Sequence, residues 1–216
     1  PVQPEDVMLD LGAHIGAASR FLLDRGLART VCVEADPVNV PILRRNLTGK
    51  PATVLWAAVG ATAGRTAFYT RADRGFVGSV LGDPARKRVT VPMVSLSGLL
   101  AKYRPTIVKS DIEFAEYGLP ELRALPAFVR VLTMEVHIRF VGIFTARTMD
   151  ADELRQRRET ATAFIEAVEA QGFERVSFRE KQVTPKQTKV EGPAAPDGSW
   201  LGPMTKAVVA TWARAR

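Results

Sequence analysis

The sequence predicts an α/β fold, a three-layer sandwich around a mostly parallel sheet. Three observations lead there. Short apolar runs alternate with helical patterns along most of the chain. The earliest run ends in an acid followed by a glycine turn and a helix, which is how a crossover to a parallel strand begins. The chain closes on two strand-like runs, the signature of a terminal strand pair. With 216 residues, 46% of them hydrophobic, the chain suits one domain, 1–216, with a sizeable core.

The elements follow in order. Val7 to Leu11 is an apolar run of the kind buried on both faces of a parallel sheet. Gly12 and Gly16 let the backbone turn sharply and come close to a ligand. Ala17 to Arg25 reads as a helix, and Gly26 suits its C′ position. Val31 to Val33 is the second strand, closed by Glu34. Asp36 and Pro37 supply an N-cap and a first helical residue, with Val40, Leu43 and Leu47 inward and Gly49 ending the helix. Thr53 to Val59 is the third strand. Arg65 to Thr70 and Val89 to Val94 are shorter strands around an insert, Arg71 to Arg88.

Ser95 to Tyr103 is a short helix, Thr106 to Ile112 the fourth main strand, and Tyr117 to Leu125 a helix interrupted at Pro120. Val129 to Val136 is the fifth strand. Asp150 to Gln171 is the clearest helix, opened by Asp150 and Glu153 in a capping-box-like arrangement. Phe173 to Phe178 and Lys206 to Trp212 are the last strands. The long stretch between them, rich in Pro, Gly and Lys, reads as a binding lid or a disordered loop.

The first turn carries the most chemistry. Dinucleotide-binding turns usually read G-x-G-x-x-G. Here the pattern is D-x-G-x-H-x-G, formed by Asp10, Gly12, His14 and Gly16. A carboxylate in the turn repels a pyrophosphate and suits a cationic or hydroxyl-bearing ligand, such as a sulfonium cofactor with an amino acid tail and a ribose. Glu34 can accept hydrogen bonds from both ribose hydroxyls, as an acid does about 20 residues after a dinucleotide turn.

DLGAHIG followed by VEADP resembles the first motif and the end of strand two in class I S-adenosylmethionine-dependent methyltransferases, and more narrowly the FkbM family. IVKSDIEFAE, Ile107 to Glu116, is similar to that family's strand-four motif, commonly K-x-D-x-E-G-A-E. Phe114 stands where the family usually has Gly, which bears on the shape of the loop above strand four. The resemblance runs from about Val7 to His137. It implies a seven-stranded sheet in the order 3-2-1-4-5-7-6 with the last strand antiparallel, and S-adenosylmethionine as cofactor. It implies cofactor contacts at Asp10, Gly12, His14, Gly16, Glu34, Ala35, Ala58 and Asp111. Methyltransferases of this class usually carry helices before strand one, so an N-terminal piece is expected beyond the sequence given.

Methyl transfer requires alignment of acceptor, methyl and sulfur, and a base when the acceptor is a hydroxyl. Lys109, Asp111 and Glu113 alternate along the fourth strand, and Glu135 and His137 end the fifth. Asp111, His137 and Lys109 are the catalytic candidates. Asp111 or His137 is the candidate base, since imidazole titrates near neutrality, while Lys109 also suits pairing with an acid. Glu113 and Glu135 are candidate acceptor contacts. Asp111, Glu113, Glu135 and His137 also form a set able to hold Mg²⁺, the metal alternative.

The net charge of +7 is concentrated in residues 71–90, at +3, and 181–216, at +4. These basic segments read as solvated loops or, alternatively, as a nucleic-acid surface of an RNA methyltransferase. The single Cys32 lies inside a predicted strand as a core thiol and excludes a disulfide framework, which points to a reducing, cytoplasmic setting. No run approaches a membrane span. The sequence-level reading is an O-methyltransferase acting on a hydroxylated small molecule such as a sugar or polyketide. Behind it stand a nucleic-acid methyltransferase and a degenerate cofactor-binding module. The absence of G-x-G-x-x-G places an NAD-dependent oxidoreductase last.

Overall fold

The computed structural model describes residues 2–70, 80, 87–138, 150–182 and 205–214. The main sheet has seven strands in the order β3-β2-β1-β7-β8-β10-β9, from β1 (Val7–Leu11), β2 (Arg29–Glu34), β3 (Ala52–Trp56), β7 (Ile107–Ser110), β8 (Val131–His137), β9 (Phe173–Gln182) and β10 (Thr205–Arg214). Counted along the main sheet alone, this is the expected 3-2-1-4-5-7-6. The chain divides into two compact units, Pro1–Thr133 and Met134–Arg216.

In the first unit β2 pairs in parallel with β1 and β3, and β1 with β7. The register aligns Met8 with Thr30 and Ile107, and Asp10 with Cys32 and Lys109. Alternate residues share a face, so all six of these side chains lie on one side of the sheet. That side is covered by α1 (Ala17–Leu23) and α2 (Asn39–Asn46), whose Leu23 and Leu43 pack with Met8, Cys32 and Ile107. A Cβ on Gly16 would come within 2.6 Å of Leu43 Cδ1, so the start of α1 is pressed against α2.

α2 begins later than its sequence cap suggests. The Asp36 carboxylate accepts the Val38 amide at 2.9 Å, and its carbonyl accepts the Val40 amide at 3.2 Å. Asp36 therefore caps a turn that leads into the helix at Asn39.

The run Thr53 to Val59, expected as one strand, is two. β3 stays in the main sheet, and after Ala57 the chain passes into β4 (Ala58–Gly60). β4 pairs in parallel with β6 (Lys87–Ser95), which pairs antiparallel with β5 (Gly64–Thr70), giving a second, three-stranded sheet. The Ala57 amide donating to the Glu34 carbonyl at 3.0 Å marks the point of departure. α3 (Leu96–Tyr103) follows, capped by the Ser95 hydroxyl, which accepts from the Gly98 amide. The helix expected over Tyr117 to Leu125 is instead two 3₁₀ turns, Ala115–Gly118 and Pro120–Arg123. Pro120 opens the second, because its missing N–H cannot continue the first.

In the second unit α4 (Ala151–Glu169) starts at Asp150, whose carboxylate accepts the Glu153 amide at 2.8 Å. β9 and β10 form an antiparallel pair. The Glu169 carboxylate fastens α4 to both strands by accepting from Trp212 Nε1 at 3.0 Å and Arg175 Nε at 2.7 Å. Most of the insert 71–88 and of the basic segments 71–90 and 181–216, together with the Pro- and Gly-rich stretch 183–204, lie outside the described residues. Among the described residues, no helix is long and apolar enough to cross a membrane.

Candidate functional site

The site is built where β1, β2 and β7 end. Gly12 follows β1 with φ +71°, and its amide and that of Ala13 both donate to the Val33 carbonyl, at 3.0 and 3.1 Å. A Cβ on Gly12 would lie 1.9 Å from the Asp111 carbonyl oxygen. The turn after β1 and the loop after β7 therefore cross in contact, and only glycine leaves room for the crossing. His14 also takes a left-handed conformation, φ +54°. Its amide points at the Glu34 carboxylate and donates to Oε2 at 2.7 Å.

Glu34 closes β2 and is 6% exposed. Its Oε1 accepts the Asp36 amide at 2.8 Å, and Asn39 adds a side-chain hydrogen bond. Burial, and then the charge of Asp36, hold its titration above the ordinary carboxylate range despite these donors. The ionised form is thus under-compensated. Because the folded pKa is raised, the contribution of Glu34 to stability is present below its unfolded value, near 4.5, and is lost as pH rises through the folded value. Further hydrogen-bond donors to the carboxylate would favour its ionised form.

Those donors would come from a cavity of about 190 Å³ at these strand ends. Gly12, His14, Glu34, Ala35, Asn39, Ala58, Asp111 and Glu113 line it, and Val33, Ala57, Val59, Phe68, Val80, Ile112 and Ala115 complete the wall. The lining thus combines apolar side chains with three carboxylates, Glu34, Asp111 and Glu113, and His14. Phe68 belongs to the second sheet, whose strand β4 also supplies Ala58 and Val59. Sequence reasoning missed Phe68, Val59 and Asn39. The first two arrive through the strand break at Ala57, and Asn39 sits in what reads as an ordinary first helical turn.

Asp10, Gly16 and Lys109 do not line the cavity. Asp10 is fully buried beneath the turn, where its Oδ2 accepts from the Ser19 hydroxyl at 2.7 Å and its Oδ1 pairs with Lys109 Nζ at 3.0 Å. Gly16 is spent on the α1–α2 contact. Lys109 also donates to the Gly12 carbonyl at 3.4 Å. Burial alone would lower its pKa, but the negative charges of Asp10, Asp111 and Glu34 outweigh burial and raise it. A lysine held cationic in this way is a poor proton acceptor. The expectation that Lys109, Asp111 and Glu113 share a strand face fails, because β7 ends at Ser110. Only Lys109 of the three follows the strand's alternation.

Beyond Ser110 the chain makes the loop that brings Asp111 and Glu113 to the cavity. Glu113 and Phe114 both have positive φ, +50° and +74°. Phe114 thus holds the left-handed conformation that glycine adopts freely, with its ring buried. The loop keeps a glycine-like backbone without a glycine. Glu135 and His137 lie in the second unit, both buried, with His137 Nε2 3.4 Å from Glu135 Oε1.

Cys32 is fully buried among Ser19 and Thr30, and burial, with the nearby charge of Asp10, pushes its thiol up to about 11.

No protein-family model and no curated protein matches the chain. Among solved structures it is similar to a methyltransferase FkbM from Methylobacillus flagellatus KT, with a TM-score of 0.54 and 14% identity over 96% of this chain and 44% of that one. It is also similar to precorrin-6y C5,15-methyltransferase from Geobacter metallireducens GS-15, with a TM-score of 0.47 and 15% identity over 99% of this chain and 82% of that one. A putative RNA methyltransferase from Pyrococcus horikoshii gives a TM-score of 0.45 and 15% identity over 98% of this chain and 75% of that one. The chain spans under half the length of the first of these. At 14% identity the likeness to the first of these, together with the strand order, establishes architecture: the chain has the Rossmann-like methyltransferase fold.

Proposed function

We propose that this chain binds S-adenosylmethionine and transfers its methyl group to a hydroxyl of a small metabolite, such as a sugar or polyketide. One observation carries the reading. A buried carboxylate at the end of β2, Glu34, is fixed by the amides of His14 and Asp36 and lines a cavity that also holds apolar side chains and the acids Asp111 and Glu113. A ribose diol would supply the donors Glu34 lacks. The wall formed by Val33, Ala35, Ala58, Val59 and Phe68 suits a flat heterocycle. The carboxylates suit a cationic amino acid tail and repel a pyrophosphate.

When bound, the cofactor would supply an electrophilic methyl group on a sulfonium, with S-adenosylhomocysteine as the leaving group. The chain's own residues would orient and deprotonate. Asp111, at the cavity wall, takes either the ammonium of the amino acid tail or the acceptor proton. His137, next to Glu135 in the second unit, is the other candidate base. Glu113 and Glu135 are the proposed acceptor contacts. Lys109 contributes fixed positive charge. The nucleic-acid alternative rests on the basic segments, which lie largely outside the described residues. Incubation with isotope-labelled S-adenosylmethionine and a panel of hydroxylated metabolites tests the reading. Labelled methyl ether is the expected product, and transfer to RNA alone would replace the small-molecule acceptor with the polynucleotide.

A further inference from the structure

We infer that Asp10 and Lys109 act jointly as positioning residues that hold the glycine turn from below, and that neither touches the ligand. This rests on the proposed cofactor site for its functional consequence, but its geometry stands alone. Asp10, Cys32 and Lys109 occupy one row of the sheet register, on the face covered by α1. Met8 and Ile107, in the row two residues earlier on the same face, are apolar. The Asp10 row holds an ion pair, Asp10 Oδ1 to Lys109 Nζ at 3.0 Å, and Ser19 reaches down from α1 to bond Asp10 Oδ2 at 2.7 Å and Thr30 Oγ1 at 3.0 Å. A charged pair in a core face is costly unless each member is satisfied. It is retained with a second ammonium contact, to the Gly12 carbonyl at 3.4 Å.

That contact reaches the site. The Gly12 and Ala13 amides are bound to the Val33 carbonyl, and the His14 amide to Glu34. The Gly12 carbonyl and the Ala13 amide are the two ends of one peptide group, so that group is held by Lys109 at its carbonyl and by the Val33 carbonyl at its amide. Lys109 pulls the carbonyl toward the helix-covered face, so that the next amides face β2 and the His14 amide meets Glu34. Removing the ammonium frees the carbonyl end of the turn and loosens the donor that fixes the Glu34 carboxylate. It also leaves the Asp10 carboxylate buried without its counter-ion.

The experiment compares Lys109→Met, Lys109→Arg and Asp10→Asn with Asp6→Asn, a control that disturbs the far end of the same strand. Two readouts are taken: amide hydrogen exchange of Gly12, Ala13 and His14 by NMR, and affinity for S-adenosylhomocysteine. Lys109→Met is expected to speed exchange at these three amides relative to β1, and to weaken affinity about tenfold or more, on the scale of the hydrogen bond lost between the ammonium and the turn. Lys109→Arg should restore part of both, and Asp10→Asn should resemble Lys109→Met. Asp6→Asn should lower the melting temperature and leave both readouts unchanged. Should Lys109→Met not fold, Lys109→Arg and Asp10→Asn carry the comparison. Turn exchange that stays at the wild-type rate in Lys109→Met or Asp10→Asn overturns the inference. Absence of S-adenosylhomocysteine binding by the wild type overturns the cofactor reading instead, and exchange still decides the positioning role.

Discussion

Strand β1 is bracketed by two buried aspartates, and they are satisfied for different ends. Asp6, just before the strand, accepts from the Gln3 amide at 2.7 Å, from the Thr106 hydroxyl at 2.6 Å and from Arg130. Burial works against its charge, but these donors together hold its pKa below the ordinary range. The cluster ties the chain entering β1 to the segment before β7 and to Arg130. Asp10 lies four residues further on and is equally buried, yet its partners are Ser19 of α1 and Lys109, which also holds the glycine turn. The same residue type fastens the fold at one end of the strand and shapes a binding turn at the other. Burial does not separate the two roles; the partners do.

The comparison can be broken at either end. The largest expected effect is at the turn itself. Gly12→Ala places a Cβ 1.9 Å from a backbone carbonyl at a position with φ +71°. A cost of more than about 3 kcal/mol in chemical denaturation is expected, with loss of ligand affinity. Next comes the lower clamp. Asp6→Asn should cost about 2 kcal/mol by removing the charged acceptor shared by the Gln3 amide, Thr106 and Arg130, with affinity unchanged. Because the folded pKa of Asp6 is lowered, its contribution is present above the unfolded value, near 3.8, and is lost as pH falls through the folded value. The wild type should therefore lose stability at acid pH more steeply than Asp6→Asn, read from melting temperature against pH.

A smaller effect isolates the loop after β7. Phe114→Gly should be more stable than Phe114→Ala by about 1 kcal/mol, since both lose the ring but only glycine relaxes at φ +74°. A stability order reversed between the two would mean that the left-handed backbone costs nothing there. The smallest expected signal comes from Cys32. With its thiol buried and pushed up to about 11, it should react with a thiol reagent at pH 8 only as fast as the protein unfolds.

Much of this arrangement is legible in the sequence, and the parts that are not share a cause. The glycine turn and Glu34 at the end of β2 follow from local patterns, two glycines and an acid at the right separation, while the strand order follows from the family resemblance of the two motifs. The partition between cavity and core does not. Asp10 reads as a ligand contact because it precedes a glycine turn. Yet the alternation within VMLDL already puts it on the side of Met8, the face covered by α1. That signal was available. The break at Ala57 was not, because Thr53 to Val59 is uniformly strand-like and the departure is set by where β6 lies. The early end of β7 is likewise tertiary: Asp111 still donates its amide to Leu11, and then the chain must clear Gly12. Phe114 looks like a departure from a glycine motif, but burial of its ring keeps the backbone where glycine would have put it.

The central claim is that Glu34 is the anchor of an S-adenosylmethionine site. Calorimetric titration of S-adenosylhomocysteine into the wild type and Glu34→Ala tests it most directly, with Asp6→Asn as the stability control. The account predicts binding by the wild type and by Asp6→Asn, and a loss of about a hundredfold in Glu34→Ala, the scale of two hydrogen bonds to a charged acceptor. Equal affinity in the wild type and Glu34→Ala, or no binding by the wild type, would contradict it.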